Sequence, residues 1–368
     1  MVATLSEDVA LVGLNELHYG VVVGINRYPG IRDLQHARHD AEQFKNWLTS
    51  PTGGRVPEGN VHLIAASEEE ESTFANHWVA SPKRANVHRA LDEVNRRVRE
   101  QVQMNPDRWE STRLYLFVAG HGIAPRGADG ALLMADARHP GMLGENIELS
   151  LYTKWYVECG LFHELVVLAD CCRERLPGMP NPSPPPFDTC ETPARKTVLV
   201  VGYAAGLGEQ AFEPEAVGDP NQARGFFTRA VLDGLQWAPV DPATGKVTAA
   251  TLGPYVKQKV REMTKDLSSP QEAMLVGDMS DSVTFGGARG GLQPDHPITI
   301  HLPADYVHRV VLRDGAKIER ARWGPGEASF GTRLEDGFYR VLGEDGSAEG
   351  LFNGGYFTVT TEVLDVRL

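Results

Sequence analysis

Two segments of the chain place a reactive side chain directly after an apolar run. Segment 114–121 reads LYLFVAGH and segment 165–172 reads LVVLADCC, so the first ends at His121 and the second at Cys171 and Cys172. Both apolar runs have the length and β-branched character of buried strands. In a parallel sheet the carboxyl ends of the strands meet at one edge, where ligands collect. A histidine and a cysteine that meet there form a dyad for nucleophilic catalysis.

The chemistry of such a dyad follows from the thiol. A free cysteine with a pKa of about 8.5 is mostly protonated at pH 7, so an imidazole must take its proton. His121 would accept that proton and later return it to a leaving amine. Neighbouring residues at an extended strand end point to opposite sides, so only one of Cys171 and Cys172 faces the edge. The alternative is a histidine that only hydrogen-bonds at a strand end and a cysteine that is a small buried apolar residue.

The elements around these segments alternate between strands and helices. This alternation predicts an α/β fold, with a mainly parallel sheet covered by helices on both faces. The predicted strands are 18–25, 61–65, 113–119, 165–169 and 197–201, and the predicted helices are 36–50, 85–101, 151–159, 227–237 and 249–267.

Three further stretches define the domain organisation. Residues 173–196 are so rich in proline that they predict an exposed, extended loop inside a first domain of residues 1–287. The glycine-rich residues 288–297 predict a linker. Short alternating segments separated by Asp/Gly turns predict a small all-β module over residues 298–368, with a binding or a purely structural role.

Composition excludes several classes of function. The 36 Lys+Arg against 49 Asp+Glu give a net charge of −13, which argues against nucleic acid as the main partner. No apolar run approaches the ~18 residues of a membrane span. Glu7 and Asp8 stand where a secretion signal has Lys or Arg, so a cytoplasmic location is expected. The four cysteines form a poor disulfide framework and have no zinc-ligand spacing.

In their order and spacing, several segments resemble the caspase-like cysteine peptidases, the group that includes metacaspases and bacterial caspase-family proteins. A histidine about 50 residues upstream of the nucleophile is part of that pattern. The resemblance covers roughly residues 15–287, and it implies a caspase-like fold and a cysteine endopeptidase in regulated proteolysis, defence or cell death. The segments that carry it are GVVVGINRY at 20–28 with 34–41 behind it, GHG at 120–122, DCC at 170–172, GEQAFE at 208–213 and GFFTRAVLDGL at 225–235.

The resemblance assigns roles to the residues of the dyad. Family members generally read Asp-x-Cys at this strand end, which makes Cys172 the nucleophile and leaves Cys171 to pack inward. His121 is then the general base. The backbone N–H groups of Gly122 and Cys172 are the implied oxyanion donors, and a glycine at 122 permits close approach of the substrate.

The resemblance also implies an acidic specificity pocket. Metacaspases place two aspartates there, which map to Asp40 and Asp170. Two carboxylates facing one pocket favour Arg or Lys at the cleavage position. The alternative for Asp40 is stabilisation of the first turn of its helix. Glu209 and Glu213 border the cleft by resemblance, where they add negative charge or are simply solvated.

The loop 173–196 stands where caspases carry the linker that is cut on activation. Arg173, Arg175, Arg195 and Lys196 are therefore candidate self-cleavage positions, and an uncut surface loop is the alternative. Arg173 also replaces a histidine common after the nucleophile, so it either helps to hold a thiolate or faces water. Ala119 and Ala37 depart from the metacaspase pattern without removing the dyad.

No cofactor is predicted. Some metacaspases need calcium, but Asp129, Asp136 and Glu145 lack the spacing of a calcium loop, so calcium dependence stays open. The expected partners are protein substrates with exposed Arg or Lys, together with an activating protein. Two alternatives remain: a catalytically silent caspase-like scaffold, and a non-proteolytic thiol enzyme such as an amidohydrolase.

Overall fold

The computed structural model describes residues 14–65, 73–125, 130–139, 141, 143, 145–175, 185–187, 195–211, 225–238, 246–265, 267, 269–286, 296–315, 319–334, 337–359 and 365–368. In chain order the strands are β1 His18–Gly24, β2 Val61–Ala65, β3 Arg113–Ala119, β4 Gly122–Ile123, β5 Ala131–Leu133, β6 Asn146–Glu148, β7 Glu164–Asp170, β8 Val198–Tyr203, β9 Val247–Thr248, β10 Met274–Gly277, β11 Thr284–Phe285, β12 His296–His301, β13 Val310–Asp314, β14 Glu319–Trp323, β15 Ser329–Leu334, β16 Gly337–Gly343, β17 Tyr356–Val359 and β18 Asp365–Arg367. The α-helices are α1 Ala37–Thr49, α2 Arg84–Met104, α3 Leu149–Cys159, α4 Phe226–Trp237 and α5 Ala249–Thr264, and short 3-10 turns cover Glu58–Asn60, Phe74–Val79, Pro106–Ser111 and Phe352–Gly355.

A six-stranded sheet in the order β10-β8-β7-β3-β1-β2 forms the centre of the first part of the chain. Five of its strands run parallel, and only β10 pairs antiparallel, at one edge. Helices cover both faces, and mainly antiparallel sheets follow in the C-terminal part, where β18 pairs parallel with β12. The predicted α/β class, with a mainly parallel sheet and a β-rich C-terminal part, is confirmed.

Alternation along the strands divides the apolar residues between the two faces of this sheet. In β1, Val21 and Val23 belong to the cluster that includes α2 and α3, whereas Val22 belongs to the cluster with α1, α4 and α5. Every residue of β3 is buried. A strand buried on both faces reads as a continuous apolar run, and that run made β3 recognisable in the sequence.

Strand β1 lies between β2 and β3 in the sheet, so the strands that follow it in the chain are added on both of its sides. The chain passes from β1 through α1 to β2 on one side, and through α2 to β3 on the other side of β1. Such a switch between neighbouring parallel strands opens a crevice at their carboxyl ends.

Strands β12 to β18 form two separate sheets, in the orders β15-β12-β18 and β14-β13-β16-β17. They enclose a core of their own, to which Ile300, Leu312 and Val341 belong. Strand β12 begins at His296, so the last two residues assigned to the linker 288–297 belong to a strand. The sequence did not reveal β14, β15 and β18, because polar and glycine residues interrupt their alternation.

The expectation about disulfides needs a correction. Cys159, the last residue of α3, is disulfide-bonded, whereas Cys171 and Cys172 are free thiols. Cys190 lies outside the described residues. A disulfide depends on the distance between cysteines in space, which their spacing in the sequence does not give. In the described ranges, no helix combines the length and the apolar character that crossing a membrane requires.

Candidate active site

The carboxyl ends of three neighbouring strands define the candidate site. Ala119 at the end of β3 pairs with Gly24 of β1 on one side and with Asp170 of β7 on the other. His121 and Cys172 each follow their strand by two residues, so the aligned ends bring both to one cavity of about 550 Å³. The lining residues are Arg32, Asp33, Leu34, Gln35, Ala37, Asp40, Ala119, Gly120, His121, Asp170, Cys171, Cys172, Glu174, Gln210, Ala211 and Gly225.

His121 is held by the loop between β1 and α1. Its Nε2 lies 2.7 Å from the carbonyl oxygen of Arg32. Because a carbonyl only accepts, Nε2 carries the proton and donates it. In a neutral imidazole the other nitrogen, Nδ1, is then the proton acceptor. The hydrogen bond to Arg32 therefore selects the tautomer that a general base needs.

Cys172 is partly exposed to the cavity and its sulfur contacts the backbone of Ala211. The Ala211 N–H donates to Sγ at 3.3 Å, and Sγ lies 3.5 Å from the Ala211 carbonyl oxygen as a donor. An N–H directed at the sulfur stabilises a thiolate more than a thiol.

Cys171 lies in a different environment from its neighbour. Its side chain is buried in the core, and burial raises the pKa of this thiol far above that of a free cysteine. A thiol that stays protonated is a poor nucleophile. The strand-end alternation thus places Cys171 inward, as expected.

Asp40 and Asp170 converge on the start of α4. Oδ2 of Asp40 accepts the Gly225 N–H at 3.1 Å, while Oδ2 of Asp170 accepts the N–H and the hydroxyl of Thr228 at 3.0 and 2.6 Å. A Cβ on Gly225 would clash with Asp170 Oδ2 and lie 3.1 Å from Asp40 Oδ2. The carboxylate of Asp40 therefore reaches across to α4 and lines the cavity beside Asp170, and a side chain at 225 would fill the space between the two.

Gly122 begins β4 directly after His121. A Cβ on Gly122 would clash with the Cys172 carbonyl and with the Cβ and Sγ of Cys171. The backbone of Cys172 and the side chain of Cys171 therefore require a glycine at 122. Close approach of a substrate at this glycine stays a prediction.

Arg173 does not face water or the thiol, which corrects both expectations for it. It is 4% exposed, its guanidinium donates to the Ala205 carbonyl at 3.1 Å, and it lies 4.0 Å from the centre of the Tyr203 ring. The guanidinium is held by an aromatic face and a carbonyl, which satisfy a buried cation.

Glu209 is also placed differently from its predicted role. Its carboxylate folds back onto the Gly206 N–H at 3.0 Å within an exposed turn, and it is not among the residues that line the cavity. Glu174 and Gln210 occupy the mouth instead, joined by a 2.6 Å hydrogen bond. Glu213 lies outside the described residues.

Several groups of the site had no signal in the sequence. The Arg32 carbonyl is a backbone atom, and the Tyr28 hydroxyl and Thr228 act on residues far along the chain. Tyr28 stands in the GINRY segment and Thr228 in the GFFTRA segment, so the resemblance contained both residues without indicating what they contact.

The candidate self-cleavage positions are described only at the two ends of the loop. Arg175 and Lys196 are exposed, and Arg195 is half-buried over the ring of Trp109. Residues 176–184 and 188–194 lie outside the described residues. Between them, Phe187 packs against Trp155 with 4.7 Å between ring centres.

Of the three carboxylates considered for calcium, the structure describes Asp136 and Glu145. Burial and the neighbouring Glu145 raise the pKa of Asp136, and Asp129 lies outside the described residues. Within the described part of the chain, no three metal-ligating side chains come together.

Comparison with known proteins gives the following similarities. No protein-family model matches the chain. The chain is similar to a probable protease of a Desulfuromonadales bacterium, with 25% identity over an alignment of 237 residues; the match covers 60% of this chain and 26% of that protein. The chain thus spans about a quarter of the length of this relative. Among solved structures it is similar to caspase-1 of Spodoptera frugiperda, with a TM-score of 0.44 and 13% identity, covering 79% of this chain and 100% of the other.

Proposed function

We propose that this protein is a caspase-like cysteine endopeptidase that cleaves proteins after Arg or Lys, with Cys172 as nucleophile and His121 as general base. The observation that carries the proposal is the shared cavity of the two side chains, together with the bond from His121 Nε2 to the Arg32 carbonyl. That bond leaves Nδ1 to take the thiol proton.

The reaction begins with transfer of the Cys172 proton to His121 Nδ1. The sulfur then attacks the scissile carbonyl carbon, and the backbone N–H groups of Gly122 and Cys172 stabilise the oxyanion, each such donor being worth about 10²–10³ in rate. The imidazolium returns its proton to the leaving amine, so the peptide bond breaks and a thioester remains. A water molecule, deprotonated by His121, hydrolyses the thioester and restores the thiol.

Asp40 and Asp170 are the proposed specificity residues. Both side chains line the cavity, and their carboxylates accept hydrogen bonds from Gly225 and Thr228. A guanidinium or ammonium group entering there gains charge-assisted hydrogen bonds, whereas an aspartate side chain is repelled. The preferred substrates are therefore exposed protein segments with Arg or Lys at the cleavage position.

The named relative supports protease activity but not its details. It is described as a probable protease, and the chain matches about a quarter of it. Control by linker cleavage or by a protein partner belongs to the same proposal, as does a role in regulated proteolysis such as defence or cell death.

Fluorogenic peptides ending in Arg, Lys or Asp test the activity, with and without calcium. We expect the wild type to cleave the Arg and Lys peptides and Cys172→Ala to lose at least about 10³-fold in kcat, because Cys171, the other described free thiol, is buried and has a raised pKa. Cys171→Ala is the matched control, since it makes the same change one residue away at a buried thiol, and it should keep most of the activity. Equal activity of Cys172→Ala and wild type, or cleavage after Asp alone, would contradict the proposal.

A further inference from the structure

The backbone at His121 is held by the side chain of Tyr28. This tyrosine is fully buried; its hydroxyl accepts the His121 N–H at 3.1 Å and donates to the Leu133 carbonyl at 3.0 Å. Its ring meets the imidazole edge-on, with 4.8 Å between ring centres. A Cβ on Gly120 would clash with the Tyr28 hydroxyl, so the glycine before the histidine admits this contact. One buried side chain thus contacts both the backbone and the ring of His121.

The ring of His121 is held by the same loop through the Arg32 carbonyl, and Asp33 directly follows Arg32 in this loop. Oδ1 of Asp33 accepts the Tyr28 N–H at 2.7 Å, and the Ile31 N–H donates to the Tyr28 carbonyl at 3.0 Å. These two bonds close the loop from 28 to 33 into a turn. The carboxylate of Asp33 also pairs with Arg27, where both side chains are more than 40% exposed.

We propose that Tyr28 and Asp33 are positioning residues that hold His121 in the tautomer and orientation that take the proton of Cys172. Tyr28 acts on the backbone and ring of His121 directly, whereas Asp33 acts through the turn that presents the Arg32 carbonyl. The inference rests on the proposed function only in assuming that His121 activates Cys172. It does not depend on the substrate.

The physical reason is that an imidazole has two nitrogens and a rotatable ring. If the Arg32 carbonyl moves away, neither the tautomer nor the ring orientation is fixed, and the fraction of molecules with Nδ1 ready to accept a proton falls. A general base contributes about 10²–10⁴ in rate. If the imidazole of His121 loses its orientation, we expect this rate contribution to fall about tenfold.

Alkylation of Cys172 by iodoacetamide across pH, read by peptide mass spectrometry, tests the inference without any peptide substrate. The wild type should show reactivity below the pKa of about 8.5 of a free thiol, since a thiolate–imidazolium pair forms at lower pH, and His121→Ala should lose it. Tyr28→Phe and Asp33→Ala should be alkylated about tenfold more slowly at pH 6. Besides Asp33, the charged groups that line the cavity are Asp40, Asp170, Glu174 and Arg32. These four remain in every variant, and Asp33→Asn removes the same charge as Asp33→Ala.

Two further variants separate positioning from a merely structural role. Asp33→Asn keeps an acceptor for the Tyr28 N–H and should restore the wild-type profile within about twofold. Arg27→Ala removes the exposed ion pair with Asp33, which contributes little, and should also match the wild type. In peptide cleavage, Tyr28→Phe and Asp33→Ala should lower kcat about tenfold and leave KM within about twofold.

The outcomes distinguish this inference from the proposed function. Alkylation profiles that separate as described, without cleavage of any peptide, would support the positioning residues and reject the peptidase. Peptide cleavage, together with alkylation of Tyr28→Phe and Asp33→Ala at the wild-type rate, would support the peptidase and reject the positioning residues. A wild type whose Cys172 is not alkylated below the pKa of a free thiol would also overturn the inference. Equal losses of alkylation rate in Asp33→Asn and Asp33→Ala would do so as well. If Tyr28→Phe does not fold, the comparison of Asp33→Ala with Asp33→Asn decides.

Discussion

Asp170 connects strand β7 with the proposed specificity pocket and the candidate nucleophile Cys172. It ends β7, lies two residues before Cys172, and has one carboxylate oxygen held by both the N–H and the hydroxyl of Thr228. A hydrogen bond to a charged group contributes about 1.5–3 kcal/mol when both partners are held. Thr228 therefore fixes the orientation of the Asp170 carboxylate, which under the proposed function directs its second oxygen at the substrate cation.

Replacing Thr228 by Val removes the hydroxyl and keeps the amide and the side-chain shape. We expect KM for Arg peptides to rise about tenfold, equivalent to about 1.4 kcal/mol of binding, with kcat within about threefold, because the change affects the pocket and not the dyad. Steady-state kinetics on Arg and Lys peptides measures both constants.

Thr228→Ser retains the hydroxyl and is the control for this change. It should keep KM close to the wild-type value. A lowered kcat with unchanged KM in Thr228→Val would show that Asp170 does not hold the substrate.

At the scale of elements, the segment between β7 and β8 connects the nucleophile to the rest of the sheet. Its described parts are anchored at Arg173, which is buried against Tyr203, and at Phe187, which packs against α3 through Trp155. Arg175 and Lys196 are exposed, so the basic residues outside the buried Arg173 are the more accessible cleavage positions.

Self-cleavage is expected at these positions. Purified wild type should fragment between residues 172 and 197 on incubation, whereas Cys172→Ala should stay intact, because the cut requires the same thiol. The triple variant with Arg175, Arg195 and Lys196 changed to Ala should also stay intact. Gel electrophoresis with mass spectrometry of the fragments measures the outcome.

A second triple variant controls for the loss of three cations. Arg89, Arg96 and Arg99 are exposed on α2, and changing them to Ala removes the same charge outside the loop. Its fragmentation should match the wild type. Fragments ending between 172 and 197 in the first triple variant would reject cleavage after these residues.

At the scale of the whole molecule, the C-terminal strands contact the helices that support the pocket. Phe338 of β16 meets Tyr255 of α5 edge-on at 5.1 Å between ring centres and stacks on Tyr356 at 5.2 Å. Tyr255 in turn packs against α4 at Gly234, where a Cβ would lie 2.9 Å from the tyrosine ring. A chain of packed rings and helices thus joins the C-terminal part to α4, whose first turn holds Asp170.

Phe338→Ala removes the ring at the start of this chain of contacts. We expect the free energy of unfolding to fall by about 2 kcal/mol, from the loss of a half-buried ring and its aromatic pairs. Urea unfolding followed by fluorescence measures it.

Phe352→Ala is the matched control, since Phe352 is 58% exposed and its ring meets only the Lys265 ammonium at 4.6 Å among the ring contacts described. The free energy of unfolding of Phe352→Ala should fall by less than about 1 kcal/mol. Equal losses in the two variants would mean that the Phe338 contact does not join the two parts of the chain.

The sequence by itself determined the five parallel strands of the central sheet and the two candidate catalytic residues, but not the antiparallel edge strand β10. The buried strands are continuous apolar runs, and the histidine and the cysteine directly follow two of them, so period and position were visible without tertiary contacts. The roles of Asp40 and Asp170 came from family resemblance, because nothing local to either residue indicates a pocket. The short strands β4 to β6 and the polar strands of the C-terminal part carried too few residues to show a period.

Tertiary structure alone decided how these residues are held. Tyr28 acts on His121 across 93 positions and Thr228 on Asp170 across 58, and the Arg32 carbonyl has no side-chain signature at all. Arg173 turns inward because an aromatic face and a carbonyl receive it there, and Cys159 is disulfide-bonded although the cysteine spacing gave no sign of it. Each of these depends on a contact between distant segments, and only folding creates such contacts; the strand runs and their reactive ends are local properties, which the order of residues already contains.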